Sequence, residues 1–201
     1  MMSEGPELNE VQKFYEERVL GFMISDLRKS VAAGTNFLTA LGCLTYTEAI
    51  GTLLPELDQE PMGAAKEKRF YRCLFRLPSG EKLRELDDFI RQVTKPQQGL
   101  YRHLRHSATH LYLPQIKRRD ENGNAQFVPV VVAKNSVSGS FGPGVPMNID
   151  SQGRFVIGTH QYTEELATAS QSFLDATYVR QEADWVAAGI KGYGLITKGL
   201  Q

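Results

Sequence analysis

Cysteine is scarce. Cys43 and Cys73 are the only two in 201 residues. Both lie in apolar surroundings, so the chain has no disulfide framework or zinc knuckle, and two buried free thiols are expected. No stretch approaches the ~18 consecutive apolar residues of a membrane span. Charge of one sign is not in excess either: 23 Lys and Arg balance 23 Asp and Glu. That balance argues against a constitutive, charge-driven binder of DNA or RNA, while leaving room for a local basic site. The first ten residues carry Glu4, Glu7 and Glu10 without a basic-then-apolar run, so no secretory leader and a cytoplasmic location are expected. Internal repeats and low-complexity tracts are also lacking. Hydrophobic residues at 41% and charged residues at 23% match an ordinary globular composition, and the length favours one domain.

What is present reads first as helices. Over 8–30, Leu8, Val11, Phe14, Tyr15, Val19, Phe22, Met23 and Leu27 recur near helical spacing with charges between them. This predicts a long amphipathic helix, stopped or bent near Ala33-Gly34. A second helix is predicted over 36–54. It is mostly apolar and small, and Glu48 is its only charge before the loop bracketed by Pro55 and Pro61. Such a helix is buried on most sides, and its small residues let a neighbour approach closely. A third helical region covers 64–77. Ser79 caps a fourth over 81–93, where Leu83, Leu86, Phe89, Ile90 and Val93 repeat at three and four. A fifth is expected over 97–113, ended by Pro114.

The pattern then changes. The β-branched run 127–132 follows the turn signal Asn122-Gly123. A loop dense in Gly, Ser and Pro spans 135–148. Residues 147–150 and 154–158 form a predicted hairpin across Ser151-Gln152-Gly153. Thr163 opens a last helix to about residue 180, and the glycine-rich tail over 181–201 has no assignable element. The expected fold is mainly α and a single domain over 1–201. It is a helical bundle over about 8–113 and 163–180 with a small antiparallel β-hairpin or sheet insert over about 125–160.

Three of the four histidines fall in one stretch, Tyr101-Arg102-His103-Leu104-Arg105-His106-Ser107-Ala108-Thr109-His110. On an α-helix His103, His106 and His110 lie within roughly 60° of one another, one polar stripe with two arginines interleaved. Leu104, Ala108 and Leu111 take the core side. The bland alternative is a solvated helix face.

Arg105-His106-Ser107-Ala108-Thr109-His110 has the form Arg, polar residue, three variable residues, His, late in a helical chain. It resembles the signature of the HEPN superfamily, which includes ribonuclease toxins, RNA-processing enzymes and nucleases of antiviral systems. The match covers about ten residues in sequence and residues 8–180 in architecture, and the strands over 127–158 are an addition to the minimal bundle. The resemblance implies a metal-independent endoribonuclease in a toxin or host-defence role, working as a homodimer whose two motifs meet across a two-fold axis. It implies an RNA substrate and an antitoxin or nucleotidyltransferase-type partner protein, with no cofactor. His110 is then general base or acid, Arg105 the phosphate clamp and His106 the polar supporting residue. Arg102, His103 and the basic run Lys117, Arg118 and Arg119 are RNA contacts, and Glu48 and Tyr101 are supporting residues. A plain exposed loop is the alternative for the basic run.

The residue chemistry suits that task independently. Cleaving RNA without a metal needs a group to move the 2′-hydroxyl proton and a fixed cation beside the phosphate. Histidine titrates near working pH, and arginine keeps its charge in a planar fork. Two other readings stand beside this one. The first is a non-catalytic interaction or RNA-binding module of the same fold. The second is a metal site on His106 and His110, four apart, with a third ligand from His103, His160 or Glu48. Ser107 stands where a hydrolytic metal motif has Glu, and Arg102 and Arg105 would repel a cation. Ser138-Gly139-Ser140-Phe141-Gly142-Pro143-Gly144 lacks the Gly-Lys-Ser/Thr of a phosphate loop and is expected to be a flexible loop. Asp87-Asp88 and Glu164-Glu165 read as solvated helix surface. Glu48, costly to bury alone, either pairs with a motif arginine or faces solvent. Trp185 reads as a packing anchor.

Overall fold

In the computed structural model, residues 8–59, 63–94, 98–106, 116–119 and 125–198 are described. The protein is mainly helical with a small mixed three-stranded sheet. The first helix runs as α1 (Leu8–Phe14), a π segment π1 (Tyr15–Ile24) and α2 (Ser25–Ala32). Its buried positions are Val11, Tyr15, Val19, Ile24, Leu27 and Val31, so the interval widens to five residues inside π1. The wider i→i+5 winding shifts the phase. Ile24 therefore turns inward, and Phe22, expected in the core, is 56% exposed.

Helix α3 (Asn36–Gly51) is the hub of the bundle. It touches α2, α4 (Ala65–Leu74), strand β3 (Val130–Ala133), the π segment π2 (Tyr101–His106) and the long helix that follows the sheet. The small residues expected to admit a neighbour do so. A Cβ on Gly51 would run into the Arg69 carbonyl of α4, and one on Gly192 into the Thr52 carbonyl. Two backbones thus close on the end of α3. Gly51→Ala is expected to lose about 2–3 kcal/mol in urea denaturation, because the overpacking strain exceeds the ~1 kcal/mol gain in helix propensity.

Helix α5 (Gly80–Val93) buries Leu83, Leu86, Asp87 and Ile90. Ser79 stands at its N-cap without capping it. Its backbone N–H and hydroxyl instead donate to the Glu165 carboxylate.

The β elements are a hairpin of β1 (Ile116–Arg119) with β2 (Ala125–Val128), and a separate sheet ordered β3-β5-β4. Strand β4 (Met147–Ile149) pairs antiparallel with β5 (Phe155–Gly158), and β3 pairs parallel with β5. The predicted hairpin is therefore present, as part of a mixed sheet with β5 buried at its centre. The β-branched run is split by Pro129, which lacks an N–H for the ladder while its carbonyl accepts from Phe155 N–H at 2.9 Å. Residues 137–149 fold around the buried side chain of Asn148. Its amide accepts from Phe141 N–H and donates to the Val137 and Gly142 carbonyls.

Helix α6 (Thr159–Leu174) starts directly from β5, four residues before Thr163, and passes into π3 (Asp175–Val179). The tail, unassigned from its glycines, is helix α7 (Ala183–Lys198). Trp185 anchors it, with its ring 5.6 Å from Phe173 and the Arg76 guanidinium 5.3 Å away. Both cysteines are buried and free. Burial pushes the Cys43 thiol up to about 12, which keeps it protonated and inert at neutral pH. Among the described residues no helix is long and apolar enough to cross a membrane.

Candidate functional site

The Tyr101–His106 segment is held at its start by groups from α4 and α5. A helix N-terminus leaves backbone N–H groups without intrahelical acceptors. Here Leu100 N–H donates to Asp87 Oδ1 at 2.6 Å, and Tyr101 N–H to the Tyr71 hydroxyl at 3.2 Å. Tyr71 in turn donates to Asp87 Oδ1 at 2.7 Å. Arg91 gives its Nε–H to Asp87 Oδ2 at 2.6 Å and an Nη2–H to the Tyr71 oxygen at 3.0 Å. Glu67 stands 3.8 Å from the same guanidinium. A Cβ at residue 99 would collide with Asp87, Tyr71 and Arg91 together, so the chain must enter this segment through Gly99.

One turn further on, Arg105 Nε lies 3.2 Å from Glu48 Oε2, with side-chain exposures of 16% and 15%. Glu48, the single charge of α3, thus has a motif arginine as its partner. The Glu48 charge also acts on the Tyr101 hydroxyl. The Tyr101 ring meets Phe70 edge-on at 5.5 Å. Burial, then the Glu48 charge, pushes the Tyr101 phenol above its usual value, against the pull of Arg105. Tyr101 therefore stays a neutral donor at physiological pH. A phenol and a guanidinium, four residues apart on π2, converge on one carboxylate.

The predicted residues divide. Arg105, Glu48 and Tyr101 come together. Arg102 is exposed, but His103 is 5% exposed and packs inward beside the fully buried Leu104. The solvent-facing stripe thus loses His103, which stands three residues after the buried Leu100 and shares its inward side. His106 closes π2 by its backbone, and His110 lies outside the described residues. Lys117, Arg118 and Arg119 stand on β1, paired with Phe127, Gln126 and Ala125, so this basic run is strand where an exposed loop was the plain alternative. Among the described residues no group of three or more His, Cys, Asp or Glu is placed to hold a metal ion.

Asp87, Tyr71, Arg91 and Glu67 were not among the candidates, and Asp87 was read as surface. It is 2% exposed, while its neighbour Asp88 is exposed. The signal was in the periodicity: Asp87 is four residues after Leu83 and three before Ile90, on the apolar stripe itself. Glu165 repeats the pattern between Tyr162 and Ala169, and it is 4% exposed. Its neighbour Glu164 faces outward, where Arg28 bonds it at 2.8 and 3.0 Å and holds its carboxyl below the usual value.

Burial raises the Glu67 carboxyl, with Arg91 opposing and Asp87 reinforcing the shift. The folded state therefore binds this proton more tightly than the unfolded chain does. Stability from this group falls as pH rises from the ordinary carboxylate value through the raised one. Glu67→Gln is expected to remove that loss. Urea midpoints of wild type and variant, taken from pH 4 to 8, would show the wild type falling relative to the variant across that window.

Comparison of the chain with family models, with curated proteins and with solved structures gives no match.

Proposed function

We propose that the chain is an HEPN-like, metal-independent endoribonuclease acting as a homodimer, with the Arg105–His110 segment as its working element. The observation that carries this reading is the Glu48–Arg105 pair, 3.2 Å long in a bundle core that otherwise excludes charge from α3. A guanidinium has five N–H donors in a fixed fork. A carboxylate on its Nε edge sets the orientation of that fork before any substrate arrives. The Asp87 network at the start of π2 stiffens the support further.

In the proposed reaction His110, as general base, takes the proton from a ribose 2′-hydroxyl. The 2′-oxygen attacks the adjacent phosphorus, the P–O5′ bond breaks, and the 5′-oxygen leaves with a proton from an imidazolium, in a dimer the partner's. Arg105 balances the charge that builds on the phosphate oxygens. Arg102, on the exposed side of the same segment, and the β1 basic run extend the contact to the RNA backbone. A toxin or host-defence role, with an antitoxin or nucleotidyltransferase-type protein as partner, belongs to the same reading.

A second reading has an observation of its own. The Arg105 charge is matched by Glu48 and its side chain is only 16% exposed, which suits a structural pair in a non-catalytic interaction or RNA-binding module. End analysis of products separates the two. Incubated with single-stranded RNA in chelator, the ribonuclease leaves 2′,3′-cyclic phosphate and 5′-hydroxyl ends. RNA recovered intact, whether bound or not, supports the module and contradicts the enzyme.

A further inference from the structure

A second site lies on the other side of α4. Residues 67, 70 and 71 of this helix face the Arg91 and Tyr101 side, while 65, 68, 69 and 72 lie roughly 150° around it. That second face opposes a stripe of α7 at positions 184, 187, 188, 191 and 195, and the chain over 52–56 closes one end. Between them is a cleft of about 640 Å³, within the ~300–1,000 Å³ of small-molecule sites.

Its lining is cationic in a chain of zero net charge. Lys68, Arg69, Arg72 and Lys191 stand against Glu56 and Asp184, an excess of two positive charges. Arg72 is held 3.0 Å from Glu56 and forms part of the wall. Ala65, a lining residue, is the first of α4. The residue before it, Ala64, has no side chain that accepts a hydrogen bond, so the positive end of the helix dipole adds to the field without a capping side chain. Ala187 and Ala188 keep the α7 wall low, and the cleft also has an apolar side made by Pro55 and Leu195, the last 50% exposed. Close approach of Gly192 to the Thr52 carbonyl fixes α7 against the 52–56 chain and so fixes the width of the cleft.

We propose that this cleft binds a phosphorylated organic molecule of nucleotide size. Lys68, Arg69 and Lys191 hold its phosphates, and its less polar part lies along Pro55, Ala188 and Leu195. Cations on two facing helices with an apolar side suit a ligand charged at one end only. An inorganic anion would leave the apolar side uncovered. This inference stands apart from the Arg105 reading and survives its failure.

The test is calorimetric titration of the full chain with ATP in chelator, alongside pyrophosphate and adenosine as separate probes. Lys191→Glu reverses a charge at an exposed position, and Ala188→Trp fills the cleft without touching charge. ATP is expected to bind one per chain, with pyrophosphate and adenosine each about tenfold weaker and both variants weakened about tenfold or more. Three results would overturn the proposal: no ATP binding into the millimolar range, an ATP affinity unchanged in both variants, or pyrophosphate binding as well as ATP. In the first of these cases, single-stranded RNA binding that Lys191→Glu abolishes would assign the face to a polymer.

Discussion

Asp87→Ala is expected to lower the unfolding free energy by about 3–5 kcal/mol, the cost of removing one partner from a buried charged network. The carboxylate accepts from the Tyr71 hydroxyl, Arg91 Nε and Leu100 N–H within 2.7 Å of each. Alanine takes the acceptor away from all three at once. It also leaves Arg91 facing only Glu67, which is 3.8 Å away and whose own charge burial already disfavours. Asp87→Asn keeps the shape and one acceptor oxygen, and its loss is expected to be about half as large. Asp88→Ala, one residue on and exposed, is expected to stay within about 0.5 kcal/mol of wild type. Urea denaturation at pH 7 measures all three. An Asp87→Ala loss below about 1 kcal/mol would mean that the network does not hold π2.

Arg105→Ala is expected to slow RNA cleavage about 10²–10³-fold, the usual effect of removing a charge-stabilising donor from a transition state. Arg105→Lys should lose nearly as much. A lysine keeps the charge but lacks the planar fork that can face a carboxylate at one edge and donate to a phosphate at another. Because Arg105 is mostly buried against Glu48, loss of activity must be separated from loss of fold. Glu48→Gln provides that comparison: it keeps the shape beside Arg105 while removing the opposing charge. If Glu48 positions the arginine, this variant stays folded by circular dichroism and its cleavage rate falls with substrate affinity little changed. If the pair is only structural, Glu48→Gln and Arg105→Ala lower stability alike and neither alters RNA binding.

Much of this architecture was legible in the residues, and the failures share causes. Single-period amphipathic helices such as α5 were clear, as was the burial of α3, because an element with one charge and many small residues has no solvated face to offer. Glu48 drew attention for the same reason, and its arginine partner was foreseeable from charge alone. The hairpin of β4 and β5 followed from turn chemistry. Phase was harder. A π segment inserts a residue into the helical period without any marker in composition, which exchanged Phe22 for Ile24 in the core. Adjacent carboxylates misled because solvated surface was the expectation for both members of each pair. In 87–88 and 164–165 the helix turns one acid in and the other out, and the apolar neighbours at three and four decide which. Helix α7 was hidden because glycines at 189, 192 and 194 mask a helical pattern, whereas Gly192 is there for the backbone that crosses it.

The most direct test of the account is the rate of RNA cleavage in chelator by wild-type protein and by His110→Ala, with folding checked by thermal melt. The ribonuclease reading predicts cutting by wild type to 2′,3′-cyclic phosphate ends. It also predicts a variant about 10²–10⁴-fold slower with an unchanged melt. Equal rates for the two proteins, or no cutting by either, would contradict it.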